Sequence, residues 1–337
     1  MSKENVLLFG LGGIGGVYAC ILQLSGRVNV HVVARSNYHS VKNNGFRLKS
    51  PLFGDHEDVR FAGVWKTCED AAKAGVVFSY VLCANKALLD AKPSLSDNIG
   101  PVISDDTSIV LLQNGVGAEA PLHEAFPQNT IISAVVWTGG RMLPEEGGKA
   151  GAEQFNSEGL TIGVDYRDGS DKAEERDRLD KLVEWFKAGK GSPVVTEDIQ
   201  SERWIKVIWN CCWNSITSVA RLRTNPFFES SPFALPLCRT LMEEVQSVAR
   251  AKGLTIPEGT VDRLLKQCTD VGGLGLPSSM MADNLAGRPM EVEVILGTPV
   301  KEAQRLGVSV PTLLTLYTLV KALDYGNAHP EVKVDGK

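Results

Sequence analysis

The chain has 337 residues, more than a single hydrophobic core usually serves, so two domains are expected. Its 43% hydrophobic and 22% charged residues are ordinary for a soluble globular enzyme, and a net charge of −5 without a clustered Lys/Arg stripe excludes a nucleic-acid binder. Seven cysteines, an odd number with no CxxC spacing, point to reduced thiols and a cytoplasmic setting, and with the five scattered histidines they form no metal-ligand pattern.

The N-terminus carries no charged region and cleavage site of a signal peptide, and nothing along the chain approaches the ~20 apolar residues of a membrane helix. Residues 5–9 are an apolar run that predicts a strand. Gly10-Leu11-Gly12-Gly13-Ile14-Gly15 follows at once, then a helical stretch over residues 16–24. Strand, glycine turn and helix in this order form the dinucleotide-binding arrangement, in which the glycines let backbone approach a pyrophosphate at a helix N-terminus. A second strand over residues 28–34 ends in Ala34-Arg35-Ser36, with no acid until Asp55. An NAD enzyme usually places a carboxylate there for the ribose 2′-hydroxyl. Arg35 can instead pair with a 2′-phosphate and Ser36 can donate to it, so NADP(H) is the expected cofactor.

Further on, residues 76–83 read as a buried strand, 86–95 as a helix, and 108–112 as a strand ending at Gln113-Asn114-Gly115. Residues 130–137, the surroundings of Phe155 and residues 160–164 read as later strands, and the Gly/Pro/Glu-rich stretch 139–151 as an exposed hairpin or loop. This alternation implies a doubly wound α/β sheet whose ligands lie beyond the carboxyl ends of the strands, where Lys86 and Asn114 fall. Residues 171–187 form an amphipathic helix burying Leu179, Leu182, Val183 and Phe186. Beyond residue 198 the strand pattern stops. Helices are predicted over 199–219, 235–251, 260–271, 278–286, 291–306 and 312–324. The expected division is a Rossmann-type domain over 1–196, an all-α domain over 197–326 and a frayed polar tail over 327–337, with the active site in the cleft between domains. Apolar stretches such as residues 313–323 suit a homodimer face or core packing equally.

In the first long helix, Lys206, Asn210 and Asn214 recur every four residues. That spacing drifts about 40° per step, so the three polar groups share one stripe roughly 12 Å long. Burying such groups needs polar partners, and a small ligand carrying a carboxylate and a carbonyl would supply them. Read singly, the same residues have plainer roles: the asparagines as helix-packing hydrogen bonds, Ser278 and Ser279 as a helix start, Glu291 as a first-turn charge on a helix dipole.

Taken together, these motifs resemble the ketopantoate reductase family almost from end to end. The resemblance is carried by the glycine motif Gly10 to Gly15, by Lys86 in Cys-Ala-Asn-Lys-Ala-Leu, and by Gln113-Asn114-Gly115. It continues through Trp204, Lys206, Asn210 and Asn214 of the W-x-K-x3-N-x3-N helix signature with Thr217 behind them, and through Ser278-Ser279-Met280-Met281-Ala282-Asp283 with Ala286-Gly287-Arg288-Pro289-Met290-Glu291. The resemblance implies a helical domain like that of 6-phosphogluconate dehydrogenase and an NADPH-dependent reduction of a 2-keto acid, 2-dehydropantoate to (R)-pantoate, in pantothenate biosynthesis. It implies Lys206 as the catalytic lysine and Glu291 as the glutamate beside it. Asn210, Asn214 and Ser279 would be substrate contacts and Asp283 a support for that loop. Gly10, Leu11, Gly12, Gly13, Ile14, Gly15, Arg35, Ser36, Lys86, Asn114 and Glu291 would be cofactor contacts, with Asn114 also touching substrate.

The sequence departs from the family in three places. The family asparagine past the helix falls on Thr224 or Asn225, Trp209 and Trp213 stand where smaller aliphatics are usual, and residues 139–192 are longer than in compact members. The tryptophans motivate one alternative, a D-2-hydroxyacid dehydrogenase for a bulkier or aromatic acid. A second alternative is a non-catalytic NADP sensor.

Overall fold

Near-continuous apolar strands alternating with helices are what a parallel sheet covered on both faces demands, and the first 199 residues fold accordingly. The computed structural model describes residues 3–155, 158–167 and 169–333. Its strands are β1 (Glu4–Phe9), β2 (Val28–Val33), β3 (Phe46–Lys49), β4 (His56–Val59), β5 (Gly63–Trp65), β6 (Tyr80–Cys83), β7 (Ser108–Leu111), β8 (Ile131–Val136), β9 (Gly139–Glu146), β10 (Lys149–Phe155), β11 (Leu160–Val164) and β12 (Pro193–Val195). Eight of them form one sheet in the order β12-β11-β8-β7-β6-β1-β2-β5. Pairing from β5 to β8 is parallel throughout, and β11 turns antiparallel against β8. Strand order reverses between β1 and β6, so the ligand crevice of such a sheet opens beyond Phe9 and Cys83.

The other four strands form a separate sheet, β4-β3-β10-β9, that sequence reading did not anticipate. Strands β3 and β4 are four residues each: β3 alternates Phe-Arg-Leu-Lys but over too short a run to stand out, and β4 reads His-Glu-Asp-Val with no apolar period. The 139–151 stretch is the hairpin joining β9 to β10. Gly147 and Gly148 both take positive φ (59° and 73°), the conformation that a two-residue turn between right-twisted strands needs. This sheet packs on the Gly13–Ser25 helix so closely that a Cβ on Gly13 would lie 2.7 Å from the Arg141 Cα, and one on Gly16 2.7 Å from the Phe46 ring.

The helix expected over residues 86–95 is absent: the segment is irregular, and the helix that follows is only Leu95–Ile99. Pro93 biases the residue before it away from helical backbone, and the capping box of Ser94 and Asp97 starts the helix after it. Asp171, by contrast, caps the Lys172–Ala188 helix by accepting from the amides of Ala173 and Glu174.

The chain divides into two compact units. The first comprises Met1–Lys86, Ala91–Gln113 and Glu119–Ile199; the second comprises Ala87–Asp90, Asn114–Ala118 and Gln200–Lys337. Two short segments that a single cut at residue 196 assigns to the first unit therefore pack with the helices. Their backbone explains it: Ala87 N donates to Glu291 and Val116 N to the Val294 carbonyl.

The helical unit is built on Ile199–Ala220, whose Trp204, Val207, Ile208, Cys211 and Cys212 share a core with Leu241, Met242, Val245 and Val248 of the Ala234–Ala251 helix. The helix predicted over 291–306 opens instead with a π-turn, Glu293–Gly297, before Thr298–Leu306. In that widened turn the Val294 carbonyl accepts from Val116 N and the Ile295 carbonyl from the Cys211 thiol. A short helix, Thr224–Ser230, carries too few residues for a period to show. The last helix, Pro311–Ala328, runs on past the expected boundary into a 3-10 turn, Pro330–Val332, with Lys333 Nζ donating to Asn327 Oδ1 at 3.1 Å. The frayed tail thus does not begin at residue 327, and residues 334–337 lie outside the described ones. No described helix is long and apolar enough to cross a membrane.

Candidate active site

Four-residue spacing on the Ile199–Ala220 helix brings Lys206, Asn210 and Asn214 to one side. Lys206 is half-buried, while Asn210 and Asn214 are 7% and 5% exposed. The Lys206 Nζ donates to Asn114 Oδ1 at 2.9 Å. From its other end the same amide reaches Glu291, Nδ2 to Oε2, at 3.5 Å, and Glu291 Oε1 accepts the Ala87 backbone amide at 2.9 Å. Four separate chain segments, those of Ala87, Asn114, Lys206 and Glu291, thus meet around one cation and one carboxylate.

The turn that carries Asn114 is held from two sides. Arg203, one helical turn before Lys206 and 2% exposed, donates Nη1 to the Gly115 carbonyl at 2.7 Å. Gly115 takes φ +86° and lies so close to the π-turn that a Cβ would be 2.4 Å from that of Val294, so glycine is required on both counts. Burial lowers the Lys206 ammonium from its ordinary 10.5 to about 8, and the nearby Arg203 charge pushes the same way against the opposing pull of Glu291. An ammonium of this acidity, on a hydrogen bond and beside a carboxylate, can release a proton near neutral pH.

Asn210 and Asn214 make no side-chain hydrogen bond with another described residue. Buried amides are normally satisfied, so donors left open beside a half-buried ammonium suit a polar ligand. Trp213 is buried and stacks edge-on with both Trp209, at 5.6 Å between ring centroids, and Phe228, at 5.8 Å.

Of the two serines that start the Ser279–Leu285 helix, the buried one is Ser278, the N-cap, whose Oγ accepts the Met281 amide at 3.0 Å. Its Oγ also lies 2.6 Å from that of Thr217. Thr217 spends its own proton on the Trp213 carbonyl at 2.6 Å, so Ser278 donates in that pair and ties this helix to the Lys206 helix. Ser279 is exposed at the first helical position. Asp283, 9% exposed, takes Arg288 Nε and Nη2, each at 2.9 Å, on Oδ1. Thr224 and Asn225 are both engaged locally: Asn225 Nδ2 donates to the Val271 and Gly273 carbonyls and Thr224 Oγ1 accepts the Leu276 amide.

In the sheet unit, the Gly13–Ser25 helix starts at Gly12 with no side-chain cap and no acid in its first turn. Gly10, at φ +101°, lies so close to Asn85 that a Cβ would be 2.4 Å from its backbone nitrogen, whereas a Cβ on Gly12 would meet nothing within 4 Å. Closed at Gly10 and open at Gly12, with first-turn amides uncapped, the loop fits a phosphate-bearing ligand. Leu11 and Ile14 complete this turn. Arg35 and Ser36 are exposed just past β2, and Lys86 is half-buried just past β6. Asn85 and Gln113 brace the ends of β6 and β7, with Gln113 Nε2 donating to the Asn85 carbonyl at 2.9 Å.

Sequence reading did not single out Arg203. Its spacing, three residues before Lys206 on a helix, was the available signal, since i and i+3 share a face.

Comparison with known proteins bears on both units. The family model described as "Ketopantoate reductase PanE/ApbA" matches residues 6–163, and "Ketopantoate reductase PanE/ApbA C terminal" matches residues 198–324. A 2-dehydropantoate 2-reductase of Mesorhizobium japonicum is 31% identical over 95% of this chain and 97% of its own. One of Nostoc sp. is 28% identical over 99% of this chain and 100% of its own. The crystal structure of 2-dehydropantoate 2-reductase from Methylococcus capsulatus superposes with a TM-score of 0.82 at 29% identity, over 96% of this chain and 98% of that one.

Proposed function

The chain belongs to the ketopantoate reductase family, whose members are oxidoreductases acting on a CH–OH group, and from that premise we propose that it reduces 2-dehydropantoate to (R)-pantoate with NADPH. The observation that carries this reading is the Lys206–Asn114–Glu291 relay, with an ammonium lowered to about 8.

The cofactor would be held by the turn from Gly10 to Gly15, with Arg35 and Ser36 at its 2′-phosphate and Lys86, Asn114 and Glu291 toward its other end. When bound, NADPH supplies a hydride to the keto carbon. As that bond forms, negative charge collects on the keto oxygen, and the Lys206 ammonium stabilises it and then gives up one proton. The products are a neutral alcohol and a neutral amine, which solvent reprotonates. Glu291 keeps the ammonium charged until transfer, and Asn114, bonded to both, orients the Nζ. Asn210, Asn214 and Ser279 donate to the substrate carboxylate and hydroxyl without competing as acids. Asp283, through Arg288, steadies the helix that presents Ser279.

A second reading rests on the edge-to-face cluster of Trp209, Trp213 and Phe228 on the Lys206 helix, which would suit a D-2-hydroxyacid dehydrogenase for an aromatic acid. Steady-state rates over a panel of 2-keto acids, each with NADPH and with NADH, decide the matter. The first reading expects the highest kcat/KM for 2-dehydropantoate with NADPH. Preference for arylglyoxylates would establish the second reading. Cofactor binding with no turnover of any acid, unchanged in Lys206→Ala, would leave only a sensor.

A further inference from the structure

Where β2 ends, Val33 pairs with Trp65 of β5 and the Ala34 amide donates to the Trp65 carbonyl at 2.9 Å. Lys66 therefore leaves the sheet alongside the residues that lead into Arg35 and Ser36. All three are exposed. Tyr38 then opens the Tyr38–Asn44 helix, and the Lys66 Nζ stands 5.2 Å from the centre of its ring. Lys42, one turn along that helix, stands 5.2 Å from the same centre and donates to the Tyr38 hydroxyl at 2.8 Å. Among the described residues, none of Arg35, Lys42 and Lys66 forms an ion pair with a carboxylate.

This patch is fastened to the glycine turn. Asn37, 8% exposed, donates Nδ2 to the Leu11 carbonyl at 3.0 Å, so the start of the Tyr38 helix and the dinucleotide loop are held in one register. An anion carried on the same ligand as a pyrophosphate, one ribose away, is what such a fastening serves. A phosphate monoester carries about −1.5 to −2 charges near pH 7, more than one guanidinium offsets. Arg35 can supply a planar fork and Lys66 a point charge, two complementary modes of holding phosphate oxygens.

We propose that Lys66, steadied over the face of Tyr38, is a specificity-determining residue that joins Arg35 in binding the 2′-phosphate of NADP. The inference rests on the NADPH reading above and assigns a residue to it that the family motifs do not include. Lys42 is spent on the Tyr38 hydroxyl and acts by holding the ring.

Isothermal titration of the full chain with NADP+ and with NAD+ tests it without turnover. Wild type should bind NADP+ much more tightly than NAD+. Lys66→Gln should weaken NADP+ about tenfold, leave NAD+ within about twofold, and flatten the salt dependence of NADP+ binding, as expected when one charged contact to phosphate is lost. Lys66 is exposed, so a thermal melt matching wild type is expected and confirms that the variant is folded. Parallel losses for NAD+ and NADP+, or a loss in Lys42→Gln as large as in Lys66→Gln, would overturn the assignment. Wild type binding NAD+ as tightly as NADP+ would fail at the earlier step, the NADPH reading itself, and take the inference with it.

Discussion

The Lys206 ammonium and the Asn114 side-chain oxygen are joined at 2.9 Å, and this bond fixes which way the asparagine faces. With its oxygen on a cation, its nitrogen is left to the Glu291 carboxylate at 3.5 Å, the only orientation in which both ends meet the opposite charge. Asn114 thereby couples a helix residue to a carboxylate that also accepts from the loop amide of Ala87.

From this arrangement follows a pH dependence. The Lys206 ammonium lies at about 8 instead of 10.5, lowered first by burial and then by Arg203. Ketone reduction needs the protonated form, so kcat/KM for reduction should be flat below about 8 and fall as pH rises through it. Alcohol oxidation needs the neutral amine and should rise through the same value. Measuring both directions between pH 6 and 10 checks this, and Lys206→Ala should remove both limbs while costing roughly 10²–10⁴-fold in kcat. Limbs of the same sign in both directions would assign the titration to another group.

Arg203 and Glu291 act on that ammonium with opposite signs. Replacing Glu291 by Gln removes a negative charge and should move the alkaline limb to lower pH. Arg203→Met removes a positive one and should move it higher. The arginine variant also leaves the Gly115 carbonyl without its donor, so about 1–3 kcal/mol of stability should be lost by denaturant titration, whereas the glutamine can still accept from Ala87. Limbs that move together in the two variants would show that rearrangement outweighs charge.

Asn210 and Asn214 should separate binding from folding. Neither side chain has a partner among the described residues, so alanine at either position removes no protein hydrogen bond and loses only the packing of a small buried amide, about 1 kcal/mol of stability. Losing a donor to a substrate carboxylate should instead raise KM about 10- to 100-fold with a smaller change in kcat. A fall in kcat at constant KM would mean that the amides act only in the transition state.

The parts of this site that were legible in the sequence are those where spacing alone dictates geometry. A four-residue repeat must fall on one helix face, and a glycine turn between strand and helix must expose amides. What could not be read depends on long-range contact. Glu291 could be placed near Lys206 only through family resemblance, because the π-turn beside it has no periodic signature. The β3–β4 strands were missed because each is only four residues long, and what makes them a sheet is the pairing of β3 with β10, about a hundred residues away, onto which β4 adds through β3. Ser278 shows the same limit: its Thr217 partner, not its spacing, makes it the buried member of the Ser-Ser pair.

The glycines give the last prediction, because three in similar motifs should fail differently. Gly12 has φ −91° and open space where a Cβ would go, so alanine there fits the apo fold and should leave the melt within about 0.5 kcal/mol of wild type. The same methyl would occupy the space in front of the uncapped helix start, and dinucleotide affinity should drop at least tenfold by titration. At Gly15 a Cβ would lie 2.1 Å from the Gly10 carbonyl oxygen, and at Gly115 it would meet Val294 in a backbone conformation alanine disfavours. Those two variants should lose about 1–3 kcal/mol or more of folding stability before any ligand is added. Gly12→Ala melting early, or binding dinucleotide like wild type, would show that the open face of the turn is not where phosphate sits.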